Sequence, residues 1–134
     1  SDLTRSFCLG EARADYLNVW NVVLKAQLAA EGGIKAGMTG VEADAIARDI
    51  IYAAGYEGKF GHGLGHGVGL AIHEEPRASY TAKDALPVGT VLTVEPGIYI
   101  PGWGGVRIED MVVVGKQGCQ ILTQVPKIPV IRGK

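Results

Sequence analysis

The chain has 134 residues, 47% of them hydrophobic and 20% charged, which suits one packed domain or part of a larger one and excludes global disorder. A formal net charge of −1 leaves no basic excess to hold a phosphate backbone, so no nucleic acid is expected as a partner. No run of about 18 apolar residues occurs, which excludes a membrane-spanning helix, and Ser1-Asp2-Leu3-Thr4-Arg5 shows no basic-then-apolar signal pattern. Residues 2–9 alternate weakly and read as a short strand. From Ala14 to Ala30 the period changes: Tyr16, Val19, Trp20, Val23, Leu24 and Leu28 fall on one face of a helix. Gly32-Gly33 should end it, since each glycine costs about 1 kcal/mol in a helix interior. Thr39 and Glu42 have the spacing of a capping box and open a second helix, with Ala43, Ile46, Ala47, Ile50 and Ala54 as its apolar stripe. Asp44 and Arg48 form an i,i+4 pair on another face, and Gly55 is the stop.

Beyond Gly55 the pattern turns to strands, in Gly61–Gly69, Val88–Ile100, Val106–Val114 and Gln120–Thr123. Helices first and strands later favour an α+β fold, two helices on a mostly antiparallel sheet, over a parallel βαβ sheet. Cys8 and Cys119 lie far apart and are too few for a disulfide scaffold, so a reducing, cytoplasmic compartment is expected.

Glycine is in excess, 20 residues, and seven of them fall between Gly55 and Gly69. The three histidines, His62, His66 and His73, lie in and just after that stretch, within H-G-L-G-H-G-V-G-L-A-I-H-E-E-P. The four-residue step from His62 to His66 would suit a zinc site on a helix, but Gly-Leu-Gly between them makes a helix unfavourable. Extended backbone is the better reading, with glycines letting another chain segment approach closely. A single histidine is ordinarily a core or solvated residue. Three beside acidic strand residues point instead to ligands or proton carriers.

Glu95 closes the apolar run Val91-Leu92-Thr93-Val94, and Glu109 sits inside Val106-Arg107-Ile108-Glu109-Asp110-Met111. A carboxylate in such a run is costly to bury unless it is paired or coordinates a cation. Alternation puts Arg107, Glu109 and Met111 on one face and Ile108 and Asp110 on the other. The plain alternative is an Arg107–Glu109 ion pair on the sheet, and Asp2 alone would pass for a turn residue. Oxygen ligands with one histidine suit a pair of divalent ions such as Mn²⁺, Co²⁺ or Zn²⁺, which together can activate a water for hydrolysis.

Three stretches carry a resemblance to a known family: Ser1-Asp2-Leu3-Thr4-Arg5-Ser6-Phe7; His62 through Pro76; and Thr93-Val94-Glu95-Pro96-Gly97-Ile98-Tyr99 with Gly105-Val106-Arg107-Ile108-Glu109-Asp110. With them the chain resembles the pita-bread metallopeptidases of the creatinase/methionine aminopeptidase superfamily, and most of all the Xaa-Pro dipeptidases (prolidases) and Xaa-Pro aminopeptidases. The resemblance implies metal ligation by Asp2, His66, Glu95 and Glu109, with Mn²⁺ the foremost metal. It implies that Glu95 handles the proton of the attacking water. His62 and His73 would face the substrate and stabilise the scissile carbonyl oxygen, and Arg107 would orient the site or a substrate carboxylate. The implied substrate is a peptide with proline at its second position.

The family uses a fifth ligand, an aspartate on a strand that precedes the one carrying Asp2, so residues 1–134 correspond to the later part of a catalytic domain. That reading leads to three expectations: one ion held weakly, poor activity of this chain alone, and self-association or a homodimer through an open sheet edge. A catalytically inactive peptide-binding module on the same fold is the competing expectation.

Overall fold

The computed structural model describes residues 1–133. Helix α1 spans Ala14–Gly33 and helix α2 spans Gly40–Ala53. The strands are β1 Thr4–Arg5, β2 Cys8–Leu9, β3 Gly65–Gly67, β4 Glu74–Ala78, β5 Val91–Val94, β6 Gly97–Ile100, β7 Gly104–Val114, β8 Cys119–Ile121 and β9 Val130–Ile131. The main sheet runs β1-β7-β5-β3-β4, with β6 and β8 also paired to the long β7. All its pairings are antiparallel, while β2 and β9 make a small parallel pair. The α+β architecture is therefore the one the element pattern predicts.

The core lies between the helix pair and one face of the sheet. Strand β7 contributes Val106, Ile108, Val112 and Val114, all at most 1% exposed, and the helices contribute Val19, Trp20, Val23, Ala43, Ala47 and Ile51. The period-two alternation of β7 thus sends Arg107 and Glu109 to the opposite face, away from the helices. The capping box at Thr39 forms as predicted, with the Glu42 carboxylate accepting from the Thr39 N–H at 2.7 Å.

Helix α1 ends at the Gly32-Gly33 pair as expected, with Ile34 as its extended C-cap, and the bare Cα of Gly33 leaves room for the Ile46 side chain of α2. Several other details differ from the pattern. Leu28 is 49% exposed rather than on the inner face. The inner face is rotated so that Gln27 and Glu31 point inward. Ala54 is exposed at the end of α2, and Ile51 takes the inner position. Residues 2–9 form two short strands rather than one, and β4 and β9 carry no strand signal in the sequence.

Gln27 and Glu31 turn inward because polar partners wait there. Lys127 donates to Gln27 Oε1 at 2.7 Å and lies 3.1 Å from Glu31 and 2.7 Å from Asp110. Burial, followed by the neighbouring Asp110, pushes the Glu31 carboxyl up to about 7, although Lys127 opposes the shift. The folded chain therefore keeps a proton that the unfolded chain loses near pH 4.5, and stability falls as pH rises from about 4.5 through about 7. Glu31→Gln cannot titrate. Thermal melts across that range should show a shallower decline for the variant than for the native chain.

Candidate metal centre

The site face of β7 is where the chemistry gathers. Glu109 is 3% exposed and pairs in register with Thr4 of β1, which brings the start of the chain alongside it. The Thr4 hydroxyl donates to Glu109 Oε2 at 2.5 Å. Asp2 lies just beyond, and its carboxylate, the His66 imidazole and the Glu109 carboxylate offer ligand atoms all within 4.8 Å of one another.

His66 comes from β3, where Gly65 and Gly67 flank it. A Cβ at Gly65 would run into the Thr93 carbonyl, and one at Gly67 into the Glu75 carbonyl. Glycine on both sides lets β3 lie tightly between β4 and β5 with a single side chain, His66, facing the site. Gly65→Ala should therefore cost about 1–3 kcal/mol, as overpacking does, read as a lower midpoint in urea unfolding. Thr93 ties the two strands together: its hydroxyl accepts from the His66 N–H at 3.0 Å and donates to Glu95 Oε1 at 2.9 Å.

Hydrogen bonding fixes the state of the His66 ring. Nδ1 lies 3.0 Å from the Gly67 carbonyl, which can only accept, so Nδ1 carries the proton. Nε2 then faces carboxylates, 3.2 Å from Glu95 Oε1 and 3.7 Å from Asp2 Oδ2. Three carboxylates gathered around one ring nitrogen concentrate negative charge that a cation between them would offset. One imidazole nitrogen with several carboxylate oxygens is a donor set for Mn²⁺, Co²⁺ or Zn²⁺, so the residues fit a divalent ion. The Glu109 carboxyl is pushed up, chiefly by burial and further by Glu95 and Asp2, while Thr4 and Arg107 pull it down. A divalent cation would reverse that balance.

The other predicted residues divide. His73 is exposed, its ring edge-on to His66 with centroids 4.5 Å apart. His62 has both nitrogens engaged, Nδ1 with the Gly63 carbonyl and Nε2 with the Tyr99 hydroxyl, each at 2.8 Å. Arg107 does not close an ion pair with Glu109. It donates to Thr4 Oγ1 and Tyr99 Oη, both at 3.2 Å, and its Nε lies 3.9 Å from Glu95. The register explains this: Thr4, paired across from Glu109, already occupies its near oxygen.

A cavity of about 460 Å³ opens beside these groups, lined by His62, His66, His73, Glu95 and Arg107 together with Arg77 and Tyr80. Sequence reasoning passed over Arg77 and Tyr80, and also Thr4, Thr93 and Tyr99. The signal for Arg77 was available, since it stands directly after the His62–Pro76 motif. Among the described residues its guanidinium pairs with Glu75, at 3.1 Å, both side chains exposed, and it borders the cleft.

The profile of metallopeptidase family M24 matches residues 1–116. The chain is 48% identical over 124 residues to an Xaa-Pro dipeptidase of Pyrococcus furiosus, covering 92% of this chain and 36% of that protein. Among solved structures it resembles an Xaa-Pro dipeptidase from Bacillus anthracis, with a TM-score of 0.95 and 48% identity over 98% of this chain and 37% of that one. An X-Pro aminopeptidase from Thermotoga maritima superposes with a TM-score of 0.93 at 45% identity, over 98% and 38% of the two chains. The chain thus spans little more than a third of the length of the relatives it matches.

Proposed function

Since the chain belongs to metallopeptidase family M24, we propose that it forms the greater part of a metal centre and substrate cleft that hydrolyse the bond between an N-terminal residue and proline. The observation that carries this reading is His66 Nε2 meeting the carboxylates of Asp2, Glu95 and Glu109 at the wall of a cleft. Asp2, His66, Glu95 and Glu109 would hold divalent metal, Mn²⁺ foremost. Bound there, the metal would lower the pKa of a water and polarise the scissile carbonyl. Glu95 takes the proton of that water, since its carboxylate stands at the cleft edge with one oxygen held by Thr93. His73, exposed at the cleft and without a hydrogen-bond partner among the described residues, donates to the developing oxyanion. His62 orients Tyr99 and, through it, Arg107, while Arg77 offers a cation to a substrate carboxylate. Such a carboxylate near Arg77 favours short peptides. Both cysteines are free, which supports a reducing, cytoplasmic setting.

Calorimetric titration of the chelator-treated chain with Mn²⁺ tests the centre, and an Xaa-Pro peptide assay on a chain extended to the relatives' length tests the chemistry. The reading expects saturable Mn²⁺ binding and chelator-sensitive cleavage. Two ions per chain would mean that no further donor is needed, and one ion that an added carboxylate holds the second. Peptide binding without any Mn²⁺ binding or turnover would sink the reading in favour of a binding module.

A further inference from the structure

We infer that Asp44 and Arg48 of helix α2 are positioning residues for the cleft, acting on it through the backbone around His62. Three atoms of this buried pair meet the segment Phe60–Leu64. Arg48 Nη1 donates to the Phe60 carbonyl and Nη2 to the His62 carbonyl, each at 2.8 Å. Asp44 Oδ1 accepts from the Leu64 N–H at 2.9 Å. The pair is closed upon itself by a fork, Nε to Oδ2 at 2.5 Å and Nη2 to Oδ1 at 2.9 Å. Its side chains are only 1% and 12% exposed.

This is more than helix stabilisation. An exposed i,i+4 pair is worth a few tenths of a kcal/mol and touches nothing else. Here the planar guanidinium faces the Phe60 ring, 4.2 Å from its centroid, and the Tyr80 ring, 4.8 Å from its centroid. Tyr80 is itself a wall of the cleft. The segment it grips contains Gly61 and Gly63, which have little conformational preference of their own. A glycine-rich run that must present one imidazole in one orientation needs its backbone fixed from outside, and Asp44 and Arg48 fix it on both sides of His62.

The consequence reaches the metal centre by a chain of hydrogen bonds. The Gly63 carbonyl accepts from His62 Nδ1, and Nε2 is hydrogen-bonded to the Tyr99 hydroxyl. The Tyr99 oxygen in turn accepts from Arg107, which faces Glu95 and Thr4. Helix α2 therefore sets the ring state of His62 and the direction of the groups beyond it. The functional meaning of this rests on the peptidase reading, but its test does not.

The test is nitrogen NMR of the metal-free chain with labelled histidine rings. Only three histidines contribute signals. In the native chain His62 should show a single ring state with Nδ1 protonated. Arg48→Lys keeps the charge beside Asp44, but an ammonium lacks the planar fork that reaches Asp44, Phe60 and His62 together. A double variant, Asp44→Asn with Arg48→Met, removes the grip without leaving a lone buried charge. In each variant the His62 signals should move to a mixture of ring states, while those of His66 and His73 stay in place and thermal unfolding remains cooperative. Unchanged His62 signals in a folded variant would overturn the inference. So would a common shift of all three histidines, or loss of the cooperative melt in both variants, because either would reduce the pair to a general structural role.

Discussion

Replacing His66 with alanine is expected to weaken Mn²⁺ binding by more than about 100-fold while leaving the chain folded. Removing an outer partner of a metal ligand already costs about 10–100-fold in affinity, and His66 brings its imidazole nitrogen against the carboxylates of Asp2, Glu95 and Glu109. The ring is held by one bond to the Gly67 carbonyl and packs edge-on against His73, which is itself exposed. Its loss therefore leaves a gap at the cleft wall, not deep in the core, and the melting temperature should change little. Calorimetric titration of the variant reads the affinity directly. An unaltered dissociation constant would remove His66 from the centre and leave the carboxylates to account for metal binding alone.

His73→Ala should show the complementary pattern. Metal affinity and stability should be nearly unchanged, because the side chain is exposed and away from the core. Turnover of an Xaa-Pro peptide, measured in a chain extended to the relatives' length, should fall by about 10²–10³, the cost of deleting one donor to a developing oxyanion. The loss should appear mainly in kcat, since the interaction strengthens only as charge builds on the oxygen. A large rise in KM with kcat intact would show His73 to be a binding group instead. Because His62 has no free nitrogen, the two histidines should not be interchangeable in this assay.

The parts legible in the sequence were those with local causes. The capping box at Thr39, the two amphipathic helices and the alternation of Val106–Val114 each depend on residues a few positions apart, and each is found in the structure. The histidine-rich motif and the two strand glutamates do converge on one cleft. What escaped was set by distant partners. Gln27 and Glu31 look like an outer helix face until Asp110 and Lys127, 83 and 96 positions away along the chain, are brought against them. The Asp44–Arg48 spacing was plain, yet the spacing is the same whether such a pair faces solvent or a glycine-rich segment. Arg107 was placed on the correct face, but its partners Thr4 and Tyr99 could not be read from it, because the Thr4–Glu109 register is a property of strand pairing between distant parts of the chain.

That register also bears on the order of assembly. Thr4 and Glu109 are 105 positions apart, and the Arg5 guanidinium is bound by the carbonyls of Val125 and Pro126. Closing a loop of that length is slow compared with forming either helix or the β6–β7 hairpin. During synthesis the helices and the hairpins can settle while Asp2 remains far from its partners. The group of Asp2, His66 and Glu109 is then among the last features to be completed, and on the proposed function ion capture would be a late lock on packed helices and sheet rather than their nucleus.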